Sequence, residues 1–307
     1  MREALRNAHP AAQIIALVLI GLGSMFVCTM VLAGIHVALG GDFSDMGNMS
    51  RAMLGDHRAI NLLKWMQVAQ AVGLFVAPYL VYRFIIRQNT YDLTLDFRWS
   101  SAIAFSLIMV AAFPMVNALA EFNSNLRFPH WMDGLNQWIS GTEANAERLI
   151  RLFLSMDSTL DLLINILIIG LLTAVGEELF FRGTIQPLLL KLFPNQHVAV
   201  WLTAFLFSFF HLQFLGFLPR FILGAMLGYS AHWSRSLMVP IAGHFTNNAL
   251  AVVIAWFVGI DTLDERMETI GAEPGHWFIA LLSTLIVAGS MLSFHRYTSR
   301  SKYSTLL

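Results

Sequence analysis

Long apolar runs constrain this sequence more than any other feature. A helix needs about 20 mostly apolar residues to cross the hydrocarbon core of a bilayer. Such runs fall near 12–38, 60–86, 101–120, 159–181, 196–215, 217–233, 237–258 and 276–295, which predicts eight membrane-spanning helices. The runs do not alternate apolar and polar residues as the strands of a membrane barrel do. The predicted fold is therefore all-α, a polytopic membrane protein with its helices in a bundle.

Composition and charge exclude several other classes of protein. Apolar residues make up 57% of the 307 residues and charged residues only 12%, too few to cover a water-soluble domain of this size. Lys+Arg and Asp+Glu both number 19, so the net charge is zero and no basic excess is available for nucleic acid. Cys28 is the only cysteine, which excludes a disulfide within one chain and a cysteine-based zinc site.

The basic residues favour a cytoplasmic N-terminus. With that orientation, 11 of the 19 Lys and Arg residues lie inside and eight lie outside. The first apolar run is too long for a signal-peptide core and has no clear small-residue cleavage site, so we expect it to be retained. No organelle or retention signal is visible. These features predict a multi-pass protein of the cell (inner or plasma) membrane in a bacterium.

Two polar stretches separate the early runs. Residues 41–58 contain several glycines and acidic residues and are predicted to form a loop. Residues 122–158 carry Trp131, Trp138 and an amphipathic pattern, which predicts a helix lying in the membrane interface. This helix is either a surface anchor or a lid over a site in the bundle. We favour the anchor because Trp residues are ordinary at membrane interfaces.

Ionisable residues inside apolar runs mark functional sites, and this chain concentrates them in its second half. Glu177 and Glu178 follow the apolar run that begins near Leu162, and Arg182 is four residues after Glu178. Residues four apart are neighbours on a helix, so Arg182 can neutralise Glu178. Glu177 points about 100° away and has no obvious local partner. A free carboxylate in an apolar site is suited to act as a general base, although an ordinary ion pair at a helix end is an equally good interpretation.

Two later segments place further polar side chains on helix faces. His211 follows Phe207 by four residues, and His244 and Asn248 are also four apart, so the last two can point at one spot. An imidazole and an amide can both donate hydrogen bonds to an oxyanion. They can equally join two helices, as polar side chains in membranes do.

The segment between these histidines has a structural role. Gly224 and Gly228 form a face of small residues that lets another helix approach closely.

A turn at 193–195 divides the distance from Glu177 to His211 nearly equally, so antiparallel helices would place them at similar depth. Straight helices would, however, put His211 and His244 at opposite membrane faces. Their convergence requires a short, tilted or re-entrant segment over 216–236.

The three motifs together resemble the CPBP family of intramembrane proteases. This family includes the CAAX-type prenyl-protein endopeptidases of the Ras-converting-enzyme kind and the bacteriocin-processing or self-immunity proteins. The resemblance rests on Glu177-Glu178-x-x-x-Arg182, Phe207-x-x-x-His211 and His244-x-x-x-Asn248 in that order. It covers roughly 160–258, about a third of the chain, and all three motifs fit without a substitution.

The resemblance implies an intramembrane endopeptidase and a role for each matched residue. Glu177 and His211 would activate a water, and His244 and Asn248 would stabilise the tetrahedral oxyanion. Glu178 and Arg182 would support this geometry. The chain would then consist of N-terminal transmembrane helices plus the interfacial segment (1–158), a catalytic core (159–258), and an acidic loop with the last transmembrane helix (259–307).

A metal requirement stays open at this point. Glu177, His211 and His244 would supply the three protein ligands of a catalytic zinc, with water in the fourth place, and the family has been described as metalloproteases for that reason. The histidines are not in an H-E-x-x-H arrangement, in which one helix fixes both ligands. We favour glutamate-dependent hydrolysis that requires no cofactor.

Two other functions compete with the peptidase. A non-enzymatic membrane scaffold or self-immunity protein would bind a peptide or lipidated tail without cutting it. A transporter would use Glu177, His211 and His244 as a proton relay, but we find no inverted repeat. Because all four motif positions are intact, we favour the enzyme, with the lipid bilayer and a membrane-associated protein or peptide, possibly lipidated and CAAX-like, as its partners.

Overall fold

Helices make up most of the computed structural model, which describes residues 2–47, 56–87, 93–259, 270–271 and 275–304. In chain order they are α1 (Arg2–Asn7), α2 (Pro10–Ala38), α3 (Arg58–Ile86), α4 (Trp99–Ala111), α5 (Phe113–Ser124), α6 (Asp133–Leu154), α7 (Thr159–Leu192), α8 (Gln196–Phe210), α9 (Phe217–Ser234), α10 (Met238–Val258) and α11 (Trp277–Ser304). Within the described ranges there is no strand, only an isolated bridge between Thr94 and Ser236. The all-α prediction is confirmed.

Several of these helices are long and apolar enough to cross a bilayer. Among the described residues five qualify singly: α2, α3, α7, α10 and α11. The pair α4 and α5 qualifies as a sixth span if the two are taken together, although they are bent by 46°. Pro114 lies in the first turn of α5, where its ring and missing N–H interrupt the helix that the apolar run 101–120 predicted. The protein is thus a multi-pass membrane protein.

The predicted count of eight spans is not reached, because two apolar runs form helices of another kind. The run 196–215 gives α8, which ends at Phe210 after 15 residues. At 1.5 Å per residue this helix is about 22 Å long, shorter than the hydrocarbon core of roughly 30 Å. The run 217–233 gives α9, which contains Arg220 and buries more than half of its residues against neighbouring helices. Helix α9 therefore belongs to the interior of the bundle, whereas α8 buries one face and leaves the other exposed.

The long helix α7 extends beyond the predicted span 159–181 and changes its winding twice. It begins with a capping box in which the Ser158 hydroxyl accepts from the Asp161 amide and the Asp161 carboxylate accepts from the Ser158 amide. Its regular α-helical turns are interrupted by π-helical turns at Ile166–Leu172 and Phe181–Ile185. Such π-turns occur frequently at functional sites.

The close helix contact predicted from Gly224 and Gly228 is present between α8 and α9. A Cβ added at Gly224 would lie 3.2 Å from the Cα of Ala204 on α8, so a larger residue would require α8 and α9 to shift apart. The carbonyl groups of these two glycines accept hydrogen bonds from α7 side chains: Arg182 Nη2 donates to Gly224 at 2.9 Å, and Gln186 Nε2 donates to Gly228 at 3.1 Å. The glycines therefore fix α9 against both α7 and α8.

The polar stretches adopt the structures that follow from their composition. In the predicted loop 41–58, Phe43–Gly47 forms a short 3₁₀ turn and α3 begins at its end, while residues 48–55 lie outside the described residues. The predicted acidic loop 261–273 also lies outside them except for 270–271. The interfacial segment forms α6, and Trp131 and Trp138 beside it are 81% and 50% exposed. Whether α6 is an anchor or a lid stays a prediction.

Candidate active site

A buried polar cluster forms where α7, α10 and the end of α8 meet. Glu177 and Glu178 lie on α7 between its two π-helical turns, and both side chains are buried. Adjacent residues on a helix point about 100° apart, so the two carboxylates face different neighbours. Glu177 faces His211 and His244, whereas Glu178 faces Arg182 and His244.

Glu177 lies between the two imidazoles without bonding directly to either. Its Oε1 is 3.8 Å from His211 Nε2, and its Oε2 is 3.7 Å from His244 Nε2. These separations are longer than a hydrogen bond and are of the size that a bridging water spans. Glu177 Oε2 is buried and finds no hydrogen-bond partner among the described residues. The carboxylate therefore keeps acceptor capacity for a molecule held between it and the rings.

The predicted pair of Glu178 and Arg182 is present, and it has a third member. Arg182 Nη1 donates to Glu178 Oε1 at 2.7 Å, and both side chains are 0% exposed. The same oxygen lies 2.8 Å from His244 Nδ1. No local pattern predicts this second contact, because His244 is 66 residues away on another helix. Glu178 is therefore an orienting group for His244 as well as the partner of Arg182.

Arg182 is held on its other sides by α9 and by an aromatic ring. Its second terminal nitrogen donates to the Gly224 carbonyl, and its guanidinium carbon lies 4.7 Å from the centroid of the Phe207 ring. A desolvated cation above a ring face is attracted by the ring quadrupole. Phe207 also packs edge-on against His211 and His244, with centroids 5.1 and 5.9 Å away. One phenyl ring thus contacts the buried cation and both imidazoles.

The partners of the ring nitrogens define the protonation states of the histidines. Carboxylate and carbonyl oxygens only accept, so His244 Nδ1 donates to Glu178 and His211 Nδ1 donates to the Phe207 carbonyl at 2.8 Å. In a neutral ring the remaining nitrogen, Nε2, is then an acceptor. Both Nε2 atoms face Glu177. His211 can therefore accept a proton, and His244 can donate from Nε2 only as the doubly protonated imidazolium.

Asn248 lies one turn beyond His244 on α10 and is half-buried. Its Nδ2 donates to the Ile169 carbonyl at 3.3 Å, and its Oδ1 accepts from Asn247 Nδ2 at 3.3 Å. Ile169 lies in the first π-helical turn of α7, two turns before Glu177. Of the six residues singled out in the sequence, five contact one another directly, while Asn248 is joined to the cluster through the backbone of α7 and α10.

The convergence of His211 and His244 follows from the short helices. Because α8 stops at Phe210, His211 lies at the helix end inside the bundle rather than at a membrane face. The buried helix α9 then returns the chain so that α10 places His244 against the same carboxylate. The short segment that the sequence required over 216–236 is thus present, although it is a regular helix.

The need for a metal ion at this site stays a prediction. Two imidazole nitrogens and a carboxylate are the donor set of a catalytic zinc site. Across the part of the chain that the structure describes, however, no group of three or more His, Cys, Asp or Glu side chains is placed to hold a metal ion. The geometry therefore gives no support to the metalloprotease interpretation, and the chemistry below is derived from the protein's own side chains.

A large cavity elsewhere in the bundle does not contain these residues. It has a volume of about 820 Å³ and lies between α4 and α11. Its walls are mostly apolar, as expected for a groove that faces lipid acyl chains. The residues of the polar cluster reach solvent elsewhere, since the His211 side chain is 28% exposed.

The fold and the cluster define a class of protein: an all-helical membrane protein with a buried site of two glutamates, two histidines and an arginine. The model of the family described as type II CAAX prenyl endopeptidase Rce1-like matches residues 159–250, which contain the whole cluster. Residues 159–250 are therefore similar to the Rce1-like family, and the resemblance seen in the sequence is confirmed. The match covers less than a third of the chain.

A curated relative is also found. The chain is 28% identical over 111 residues to "Uncharacterized protein YpbD" of Bacillus subtilis (strain 168). These residues are 34% of this chain and 54% of that protein, so the chain spans about half the length of the curated relative. No solved structure matches this chain.

Proposed function

We propose that this protein is an intramembrane endopeptidase that hydrolyses a peptide bond in a membrane-associated protein or peptide. The single observation that carries the proposal is the buried Glu177 carboxylate, which faces the Nε2 atoms of His211 and His244 at 3.8 and 3.7 Å. The Rce1-like match over 159–250 supports it, because this family is described as prenyl endopeptidases. We further propose that 159–258 is the catalytic core, with 1–158 and 259–307 packed around it.

The first step is the attack of a water on the scissile carbonyl carbon. The water donates one hydrogen bond to Glu177 and one to His211 Nε2, both of which are acceptors in this arrangement. As the oxygen–carbon bond forms, the proton passes to Glu177, which acts as a general base.

The second step is the collapse of the tetrahedral intermediate. His244, doubly protonated, donates from Nε2 to the oxyanion while its Nδ1 donates to Glu178. The amide of Asn248 supplies a second donor to the oxyanion. Glu177 then returns the proton to the departing nitrogen as the carbon–nitrogen bond breaks, which leaves a carboxylic acid and an amine.

The proposed substrate is a lipidated, CAAX-like tail in the cell membrane of a bacterium. The multi-pass helices and the bacterial relative support this location. A lipid anchor would hold the tail at the bilayer and deliver the peptide to a site inside the bundle. The experiment below also tests whether the same residues cleave a peptide that has no lipid anchor.

Comparison of membrane-protein N-termini between cells with the wild-type protein and cells with Glu177→Ala tests the proposal directly. New N-termini should be present only with the wild-type protein, and their sequences identify the substrate. Glu147→Ala is the matched control, since Glu147 is exposed and pairs only with Arg151 one turn away. His211→Ala should behave as Glu177→Ala does. Identical N-termini in wild-type and Glu177→Ala cells would refute the peptidase and leave the non-enzymatic scaffold.

A further inference from the structure

The turn that follows His211 has an unfavourable backbone conformation. Leu212 has a φ of +52°, in the left-handed region that L-residues other than glycine and asparagine rarely adopt. Such a conformation persists only where its surroundings fix it. The turn between α8 and α9 runs from Leu212 to Gly216, and it sets where the ring of His211 lies relative to Glu177.

Asn123 on α5 holds this turn through both of its side-chain atoms. Its Nδ2 donates to the Phe214 carbonyl at 2.6 Å, and its Oδ1 accepts from the Leu218 amide at 2.7 Å. Asn123 is only 5% exposed, so both bonds are shielded from competing water. A buried amide that satisfies an acceptor in the turn and a donor in the first turn of α9 fixes the junction between them in two directions.

Glu143 on α6 holds the same turn from another side. Its Oε1 accepts from the Leu215 amide at 2.8 Å, and Trp138 one turn earlier packs edge-on against the Phe214 ring with centroids 5.7 Å apart. A carboxylate that accepts from a backbone amide makes a strong, charge-assisted bond. Helix α6 is otherwise loosely held, since Ile139 is its only buried residue among those that the structure describes.

We propose that Asn123 and Glu143 are positioning residues for His211. Neither touches the reacting atoms, and both lie outside the 159–250 segment that matches the family model. They act through the Leu212–Gly216 turn by stabilising its backbone conformation. This inference rests on the proposed function and gives helices α5 and α6 a part in it.

Loss of either residue has a defined kinetic consequence. When the turn relaxes, the His211 ring moves away from Glu177, and the attacking water loses one of its two acceptors. The peptide itself contacts neither Asn123 nor Glu143 in this scheme, so its binding is unaffected. A displacement of about 1 Å at a reacting group lowers the rate by up to about 100-fold. The effect therefore falls on kcat and leaves KM within about twofold of the wild-type value.

Four variants test this proposal. Asn123→Ala removes both bonds, and Asn123→Asp keeps the acceptor for Leu218 while removing the donor to Phe214. Glu143→Ala removes the acceptor for Leu215, whereas Glu143→Gln retains a carbonyl oxygen there and should restore part of the function. Two exposed neighbours serve as matched controls: Asn125→Ala, whose side chain bonds only to Glu121 on its own helix, and Glu147→Ala.

Three measurements are made on the purified full-length protein in detergent. The first is kcat and KM for an internally quenched farnesylated peptide with a CAAX-type end. The second is amide hydrogen exchange over 212–218, because the Leu215 and Leu218 amides are the bonded groups. The third is the rate at which diethyl pyrocarbonate modifies His211, with the exposed His130 as the internal reference.

We expect the same three changes in Asn123→Ala, Asn123→Asp and Glu143→Ala. The kcat should fall about 10- to 100-fold. Amide exchange over 212–218 should become faster, and the rate at which His211 is modified should change. Both controls should match the wild type, and Glu143→Gln, which keeps the accepting oxygen without the charge, should be less impaired than Glu143→Ala. The proposal is overturned if exchange and His211 modification are unchanged, or if Glu143→Gln is as impaired as Glu143→Ala. If the wild-type protein does not cleave the peptide, the proposed function fails for that substrate, while exchange and modification still decide whether the turn is held as stated.

Discussion

The buried ion pair between Arg182 and Glu178 gives the most demanding test of the physical reasoning. Arg182→Met replaces the guanidinium with an apolar side chain of similar length. Both partners are 0% exposed and their charged atoms are 2.7 Å apart, so the substitution leaves a buried carboxylate without its cation, with His244 Nδ1 as the hydrogen-bond donor that remains to it among the described residues. Removing one partner of a buried pair costs about 3–5 kcal/mol of the free energy of unfolding.

A second substitution separates the cost of the charge from the cost of the lost contacts. In Arg182→Met combined with Glu178→Gln, no uncompensated charge is left, and the glutamine oxygen still accepts from His244 Nδ1. We expect the double variant to recover most of the loss. The remaining deficit, about 1–3 kcal/mol, belongs to the Gly224 carbonyl, which no longer accepts from Arg182.

The assay is the melting temperature of the protein purified in detergent, followed by tryptophan fluorescence, with cleavage of the farnesylated peptide measured in parallel. The order of melting temperatures should be wild type, double variant, single variant. Cleavage should be low in the double variant although it is folded, because a neutral glutamine does not stabilise the imidazolium that donates to the oxyanion. A double variant no more stable than the single one would refute the argument that the unpaired charge dominates.

Three further outcomes follow from the same structure. Asn248→Ala should lower kcat about 10²- to 10³-fold with little change in KM, as measured with the quenched peptide; an unchanged kcat excludes the amide as an oxyanion donor. Gly224→Val should lower the melting temperature because the valine side chain would meet α8. Gly289→Ala should not lower it, because an added Cβ there has open space around it. Equal melting temperatures for the two variants would contradict this packing. Ser158→Ala removes the N-terminal cap of α7 and should lower the free energy of unfolding by about 1 kcal/mol. An unchanged free energy of unfolding would show that the capping box with Asp161 does not stabilise the helix.

The sequence predicted the class of fold and the residues of the cluster because both depend on local patterns. Apolar runs of about 20 residues are a property of the chain alone, and so is the spacing of Glu178 and Arg182 that pairs them on one helix. The number of spans could not be read in the same way. The apolar composition of α9 reflects burial among other helices, which a run of apolar residues does not distinguish from burial in lipid, and α8 is apolar but too short to span.

The contacts within the site depend on tertiary packing, so local sequence patterns do not predict them. Glu178 was assigned to Arg182 alone, yet the same oxygen also accepts from His244. This contact arises because α9 is short and buried, which brings α10 against α7. The contributions of Asn123 and Glu143 were likewise invisible, since an isolated amide or carboxylate in an amphipathic segment carries no signal that it bonds to a distant turn.

The shared oxygen of Glu178 has a consequence for biogenesis. It joins Arg182 on α7 to His244 on α10, and Arg182 in turn donates to the Gly224 carbonyl on α9; the three groups are synthesised in the order Arg182, Gly224, His244. Glu178 therefore acquires the last of these partners, His244, only when α10 has been synthesised and has packed against α7. If the proposed function holds, a chain that ends before α10 lacks both proposed oxyanion donors, His244 and Asn248.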